Sequence, residues 1–306
     1  MVAVTLDSLI ALFVLGAVTG IIYTLLTEGF SLVYGVAGIL NGAYGAIYMI
    51  ADYVVFTILQ VYGIDIIYSI VISLLVVFVA GIGIQKLVTV RARTQLEALF
   101  ITLAIAFVLQ YFIGFVQCSS LFANNCLHPP YVPVFIKGST LILGVSVPNQ
   151  YIVADILSIL ILLLMWLAIT RSKFGLAIRA VSQDRRASEL VGISTTRVTV
   201  LVSGISSVMA GTAGIFLASY QIVDPAIGWE AITLAFAIVI IGGLGSMKGT
   251  LVASFILAYA QTAVLLFVNT LLSDFISLAL LIAILLIRPQ GLFGKEVKLA
   301  ERLEAG

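Results

Sequence analysis

Residues 66–85 read IIYSIVISLLVVFVAGIGIQ, a stretch without one charged side chain. Crossing the hydrocarbon core of a bilayer takes about 20 apolar residues, and this stretch has that length. Its Ile, Val, Leu and Phe residues do not keep to one face. They run all round a helix drawn through them, as in a segment enclosed by lipid or protein on every side. Charge returns at once in KLVTVRARTQ, residues 86–95, through Lys86, Arg91 and Arg93. An uncharged run that stops at a basic cluster reads as a span ending at the cytoplasmic face.

The rest of the chain repeats this pattern. Of its 306 residues, 62% are hydrophobic and 9% charged, where soluble globular chains are about 25% charged. Apolar surface of that extent associates in water, which excludes a soluble enzyme and a disordered chain. A net charge of +1 leaves no basic stripe for phosphates and excludes a nucleic-acid binder. Further apolar runs fall near 9–33, 42–60, 96–116, 151–170, 198–220, 230–243, 250–269 and 274–287, which with 66–85 makes nine. Helices satisfy backbone polar groups within one segment, and no alternating pattern of about ten residues suggests a β-barrel. The expected fold is an all-α polytopic transmembrane helical bundle of about eight to ten spans, with broken helices, in a single domain over residues 1–306. The opening MVAVTLDSLIALFVLG lacks the basic n-region of a signal peptide, so the first span is expected to be retained.

Orientation follows from Lys and Arg. Of the 15 basic residues, all but Lys137 fall on one side of these spans, which is then the cytoplasm. Six of them, from Arg171 to Arg197, share one loop. Parity places the N-terminus outside. A break near 35–42 is a possible re-entrant point. The longest external loop, 117–150, holds Cys118, Cys126, His128 and a group of prolines. Two readings stay open for the cysteines: a disulfide, which an extracytoplasmic compartment permits, or two unrelated thiols.

No catalytic constellation emerges. One histidine supports neither a zinc site of the usual His and Cys type nor a Ser-His-acid set. Neither a metal nor a cofactor is expected. The glycine run GGLGSMKGT at 242–250 invites a phosphate-loop reading, but Lys248 precedes Gly249 and the required spacing is missing. The physical alternative is a tight turn at a membrane boundary, with close helix approach. YGVAGILNGAYG at 34–45 spaces Gly35, Gly38, Gly42 and Gly45 three to four apart, which puts them on one face of a continuous helix and suits close packing. Tyr34, Asn41, Tyr44 and Tyr48 add polar tips. The same stretch also reads as a broken helix lining a polar conduit. Glu28 and Asp52 are acids in or near the first two spans, with no Lys or Arg before Lys86 to pair with. Such groups can mark ion pathways or cap a broken helix. Asp7, Asp65, Asp155, Asp224, Glu230 and Asp274 fall at span ends.

The cytoplasmic stretch 171–197, RSKFGLAIRAVSQDRRASELVGISTTR, alternates apolar residues with charges in a short amphipathic pattern that ends at Gly192. Ser194 or Thr195 is placed to cap the next helix. A purely solvated loop has no need of its Leu-Val-Ile cluster, so the pattern favours a helix that docks a partner.

Together these stretches resemble the permease of branched-chain amino acid ABC importers. SLVYGVAGILNGAYGAIYMIADY at 31–53 looks like the family's first signature, KFGLAIRAVSQDRRASELVGIS at 173–194 like its coupling loop, GGLGSMKGTLVASFIL at 242–257 like its glycine segment and RPQGLFG at 288–294 like its C-terminal ending. One departure is Tyr44, where the family usually carries histidine. The resemblance implies a multi-pass subunit of a prokaryotic cell membrane, embedded in membrane lipid. Its implied partners are a second related permease, two cytoplasmic ABC ATPase subunits and an external solute-binding protein. By the same resemblance Gly175, Arg179, Ala180, Asp184, Ala187, Gly192 and Ile193 would contact an ATPase. Tyr34, Gly35, Gly38, Asn41, Tyr44, Gly45, Gly242, Gly243 and Gly245 would lie near the translocation path. Pro129 to Pro133 would face the binding protein. Two other classes remain to be weighed: a permease for urea or another small polar solute, and a secondary carrier coupled to an ion gradient, for which Glu28 and Asp52 are the natural residues. An intramembrane enzyme lacks a plausible reactive set.

Overall fold

The computed structural model describes residues 6–117, 132, 134, 136–218, 223–288 and 290–294. Cys118, Cys126, His128, Pro129, Pro130 and Pro133 lie outside the described residues, as does the tail after Gly294. Eleven α-helices follow in chain order among the described residues: α1 (Leu6–Ala37), α2 (Tyr44–Phe56, continued by a π-helical turn over Thr57–Val61), α3 (Ile66–Arg91), α4 (Gln95–Gln117), α5 (Asn149–Arg171), α6 (Lys173–Gln183), α7 (Arg185–Leu190), α8 (Thr195–Leu217), α9 (Ile227–Gly242), α10 (Met247–Phe267) and α11 (Thr270–Ile287). Seven stretches among the described residues are long and apolar enough to cross a membrane, and two shorter apolar helices, Ile227–Gly242 and Phe275–Ile287, accompany them. Each of the nine apolar runs of the sequence thus holds one helix among the described residues.

Centre and periphery differ in how apolar residues are used. α8 is buried along most of its length, and α2 keeps nearly every residue inside. α1, α2, α8 and α9 supply most of the main core cluster. α1 packs most extensively along α10, in the opposite direction: Gly16 faces the Tyr259 ring, Gly20 the Phe255 ring and Gly35 the backbone of Gly245. α3, α4 and α5 turn wide apolar faces outward, with residues such as Leu75, Tyr111, Phe115 and Leu164 exposed. In water such faces would associate; in a bilayer they meet lipid.

Three stretches depart from the sequence expectation. The glycines at 35–45 do not share one helical face. α1 stops at Ala37, where Gly38 takes φ +67° and its N–H bonds the Tyr34 carbonyl at 2.8 Å. That left-handed cap costs glycine little and other residues more. Residues 38–43 are non-helical, so the broken-helix reading describes this stretch. Next, the segment between α4 and α5 contains an antiparallel hairpin, β1 (Ser139–Ile142) with β2 (Val145–Pro148). Asn149 then opens α5 and ties the hairpin to it, its side chain bonding Thr140 and the Lys137 carbonyl. Last, the amphipathic loop is two helices, because Asp184 takes extended backbone, ends α6 and caps α7.

α9 is shorter than a full span. Its 16 residues cover roughly 24 Å at 1.5 Å per residue, against a hydrocarbon core of about 30 Å. Its start lies against the start of α2. A β-carbon on Gly45 would overlap the Gly228 carbonyl oxygen, and one on Gly228 would sit 2.9 Å from the Gly45 carbonyl oxygen. Two helix beginnings therefore meet inside the bundle, each preceded by non-helical chain.

Candidate functional site

The two glycine motifs come together. Gly245, in the α9–α10 turn, lies against Gly35 and 3.6 Å, measured from its would-be β-carbon, from the Tyr34 ring. The turn is tight because Gly243 and Gly245 take φ +101° and +77°. Ser246 then caps α10, its hydroxyl accepting from Gly249 N at 3.2 Å. Gly242 and Gly249 touch backbone to backbone, and the segment 291–294 closes over them through Leu292 N to Ile241 O and Phe293 N to Gly242 O. The sequence expectation of a tight turn with close helix approach describes this segment.

Asn41 and Tyr44 are occupied internally. Asn41 is buried, and its side-chain oxygen accepts from Ala43 N at 3.0 Å, which shapes the turn into α2. Tyr44 is 1% exposed. Its hydroxyl donates to the Leu26 carbonyl at 2.7 Å and its ring meets Phe30 edge-on. In this conformation Tyr44 clamps α2 to α1 and does not face an open space.

An open space does exist a turn above it. A cavity of about 350 Å³ lies among α1, α2, α9, α10, α11 and the end of α8, near the lower end of the volumes typical of ligand pockets, about 300–1,000 Å³. Tyr23, Tyr48, Gln261 and Ser277 give it polar walls, and Leu26, Leu217 and Leu234 apolar ones. A hydrogen-bonded chain holds one wall: Tyr23 Oη donates to Gln261 Oε1 at 2.8 Å, and Gln261 Nε2 donates to Ser277 Oγ at 2.7 Å. Trp229 and Glu230, from the first turn of α9, form another side. Trp229 is fixed by its indole N–H bonding Gln110 Oε1 and by packing on Phe107. Glu230 and Thr233 are exposed and lie at the mouth.

Sequence reasoning missed most of this cavity. It placed Glu230 at a span end; the structure places it at the start of a short helix whose first turn lines the cavity. Tyr23, Gln261 and Ser277 sit in three separate apolar runs, and nothing local in the sequence marks them as neighbours. Tyr48 was legible as a polar tip. The available signal was that Gln261 and Ser277 are polar residues inside apolar runs.

Glu28 and Asp52 are buried, as is Asp155, and Glu28 Oε2, both Asp52 oxygens and Asp155 Oδ1 have no hydrogen-bond partner among the described residues. Asp52 lies beside Gly214 of α8, whose would-be β-carbon is 2.6 Å from Asp52 Oδ1. A side chain at 214 would displace it.

Between α5 and α8, the segment α6–α7 is braced from within. Ser172 caps α6 by accepting from Gly175 N at 2.8 Å, and Asp184 caps α7 by accepting from Ala187 N at 3.0 Å. Arg179 Nη1 donates to the carbonyls of Ile169 at 2.8 Å and Thr170 at 3.1 Å, covering the end of α5. Gly175 is buried against the Ala168 and Ile169 carbonyls, where a β-carbon has no room. Gly192, at φ +86°, ends α7, and Ile193 N reaches the Ser188 carbonyl at 3.0 Å. Ser194 holds the cap position of α8 without a side-chain bond; Thr195 Oγ1 instead donates to Glu189 Oε1 at 2.5 Å. Of the residues predicted to meet an ATPase, Gly175, Arg179 and Asp184 therefore act as internal braces. Ala180 and Ile193 are half-buried, and Ala187 and Gly192 are exposed. The outward apolar side chains are Leu176, Leu190 and Val191, at 61%, 89% and 76% exposed.

A helical bundle with lipid-facing outer helices, a polar cavity inside and a braced helical pair on one face defines a membrane transport subunit. The chain belongs to the family described as branched-chain amino acid transport system permease component, whose pattern matches residues 12–285. It is 31% identical over 291 residues to the high-affinity branched-chain amino acid transport system permease protein LivH of Salmonella typhimurium, covering 92% of this chain and 94% of that one. It is 29% identical over 294 residues to the BraD permease of Pseudomonas aeruginosa, covering 92% of this chain and 94% of BraD. Among solved structures, PsaBC from Streptococcus pneumoniae in complex with Fab shares the fold at a TM-score of 0.53 and 13% identity, over 91% of this chain and 92% of that one. The protein is thus a permease, a transport subunit rather than an enzyme, and a multi-pass protein of the cell membrane.

Proposed function

We propose that the chain is one of two paired permease subunits of an ABC importer for branched-chain amino acids. The relatives carry that substrate class in their names, and the identity extends over nearly the whole chain. In this reading residues 1–306 form a single transmembrane domain with the N-terminus outside. The path runs by the meeting of residues 34–45 with Gly242, Gly243 and Gly245. The external loop 117–150 receives the solute-binding protein, and α6–α7 receives one of two cytoplasmic ATPases. The ATPase drives transport by binding the two permease conformations unequally.

The single observation that supports the coupling assignment is the exposed apolar edge of α6–α7. Leu176, Leu190 and Val191 stand outward from a segment that lies between spans and is held rigid from beneath. Apolar side chains on a braced, membrane-free surface suit a groove on a partner. The test is Leu190→Asp with Val191→Asp in a complex coexpressed with its ATPases and binding protein. ATPase copurification and leucine uptake into proteoliposomes are each expected to fall about tenfold, the effect of losing 1.4 kcal/mol. Undiminished uptake overturns the docking assignment. Uptake of urea in place of leucine would overturn the substrate assignment and leave the docking intact.

A further inference from the structure

The turn between α3 and α4 joins two outward-facing apolar stripes to a cluster of cations. Along α3 the exposed stripe runs through Leu75, Val79, Leu87 and Val90, and along α4 through Leu96, Phe100, Phe107 and Tyr111. Each keeps the spacing of one helical face. Gly83 lies within the first, where a β-carbon would meet open space, so that stripe is notched one turn before Lys86. Where the stripes converge stand Lys86, Arg91 and Arg93, all exposed. From Ile66 to Gln117 the only acid is Glu97, and it serves the backbone. Glu97 Oε2 accepts from Arg93 N at 2.7 Å, and Glu97 N donates to Thr94 Oγ1 at 3.2 Å. This reciprocal cap opens α4 and fixes the turn. α8, packed along α3, adds Arg197 and no acid. Elsewhere arginines are bound to carbonyls of the chain, Arg179 to Ile169 and Thr170, and Arg288 to Leu292. No such bond holds the side chains of Lys86, Arg91 and Arg93 among the described residues.

We infer that the α3–α4 turn is a binding site for an anionic phospholipid, with Lys86, Arg91 and Arg93 on the headgroup phosphate and the two stripes along its acyl chains. A guanidinium presents paired N–H donors that match two phosphate oxygens. Basic clusters beside a span attract anionic lipid, and here the apolar stripes lead away from the cluster as the tails of a lipid lead away from its headgroup. A zwitterionic lipid brings the same tails and phosphate, but its own ammonium cancels the phosphate charge and is repelled by the cluster. A soluble phosphate ester brings the charge without the tails. Surplus positive charge and apolar surface together therefore select a lipid whose headgroup is net negative. The chemistry rests on the membrane-spanning bundle. Only the leaflet, cytoplasmic in the orientation proposed above, rests on the importer reading.

The full-length chain, delipidated in detergent, is titrated with dioleoylphosphatidylglycerol, dioleoylphosphatidylcholine and glycerol 3-phosphate, and bound lipid is counted by native mass spectrometry. Phosphatidylglycerol is expected to fill a saturable first site at least about tenfold more tightly than phosphatidylcholine, the effect of 1.4 kcal/mol. Glycerol 3-phosphate at equal concentration is expected not to displace it. Arg91→Gln with Arg93→Gln is expected to bring phosphatidylglycerol down to the phosphatidylcholine level, and the paired change to lysine to restore part of the preference. Arg185→Gln with Arg186→Gln removes two exposed cations from α7; as the control for overall charge, it is expected to leave the preference intact. Circular dichroism and unfolding temperature check that each variant keeps its fold. Equal binding of the two lipids, displacement by glycerol 3-phosphate, or equal effects of the two glutamine pairs each overturns the inference. So does loss of ATPase copurification in the Arg91→Gln, Arg93→Gln chain with phosphatidylglycerol binding unchanged, which gives the turn to a protein partner. The lipid count involves no transport, so its result stands apart from the importer reading.

Discussion

Gly45 has no room for a β-carbon. The position one would occupy overlaps the Gly228 carbonyl oxygen and lies 2.9 Å from Ile232 Cβ. Neither neighbour is the flexible end of a side chain, so relief requires α2 and α9 to move apart. Overpacking of this kind typically costs about 1–3 kcal/mol. Gly45→Ala is therefore expected to lower the unfolding temperature of the detergent-solubilised protein by several degrees, and to lower its folded yield. Gly83→Ala, where a β-carbon meets open space, is the matched control and is expected to be neutral or slightly stabilising, since alanine favours helix. Equal effects at the two positions would refute the close α2–α9 approach. Tyr44 belongs to the same contact from the other side. Its hydroxyl on the Leu26 carbonyl holds the start of α2 against α1 while residues 38–43, lacking a helix of their own, bridge the two.

At the scale of elements, α6 and α7 show how a local pattern divides bracing from display. Gly175, Arg179 and Asp184 hold the pair against the end of α5 and break it into two helices, while Leu176, Leu190 and Val191 point away. Arg179→Ala removes two charged hydrogen bonds to the α5 carbonyls, each worth about 1.5–3 kcal/mol. It is expected to raise amide hydrogen exchange across 169–183 and to weaken ATPase association together. The double aspartate change at 190 and 191 is expected to weaken association and leave that exchange unchanged. If Arg179→Ala leaves exchange unaltered, Arg179 is a contact residue rather than a brace. The amphipathic period and the Gly192 stop were legible in 171–197 because they depend on neighbours in the chain. The division of labour was not, since it depends on the α5 carbonyls that α6 folds back upon. For the same reason the apolar runs were legible as helices to within a few residues. The end of α1 at Gly38 competes with a glycine spacing that reads equally well as one packing face. The cavity was the least legible feature, because its walls come from six helices that only the tertiary fold brings together.

At the scale of the whole molecule, the scarcity of charge constrains how energy enters. The bundle holds Glu28 and Asp52 inside, at 3% and 0% exposed, with carboxylate oxygens that have no hydrogen-bond partner among the described residues. An ionised carboxylate in such surroundings costs several kcal/mol unless a cation repays it, and the chain supplies no Lys or Arg before Lys86. A carrier driven by an ion gradient would use such groups directly, loading and releasing an ion at each cycle, so neutralising them would stop transport. An importer powered by a cytoplasmic ATPase needs them only as shapes that fill space beside α8. Glu28→Gln and Asp52→Asn preserve that shape. In proteoliposomes holding the complete complex, both variants are expected to keep ATP-driven leucine uptake within about threefold of the parent, a change under 1 kcal/mol, and uptake in either is expected to ignore a protonophore. Collapse of uptake in the well-folded variants, with loss of parental uptake when the proton gradient is dissipated, would make these carboxylates an ion pathway. The basic residues of the 171–197 loop would then serve topology alone. The placement of charge argues for the first outcome: the acids buried in the bundle have no cation from the first two spans to pair with, and six of the 15 basic residues lie in the 171–197 segment, where α6 and α7 display their apolar edge.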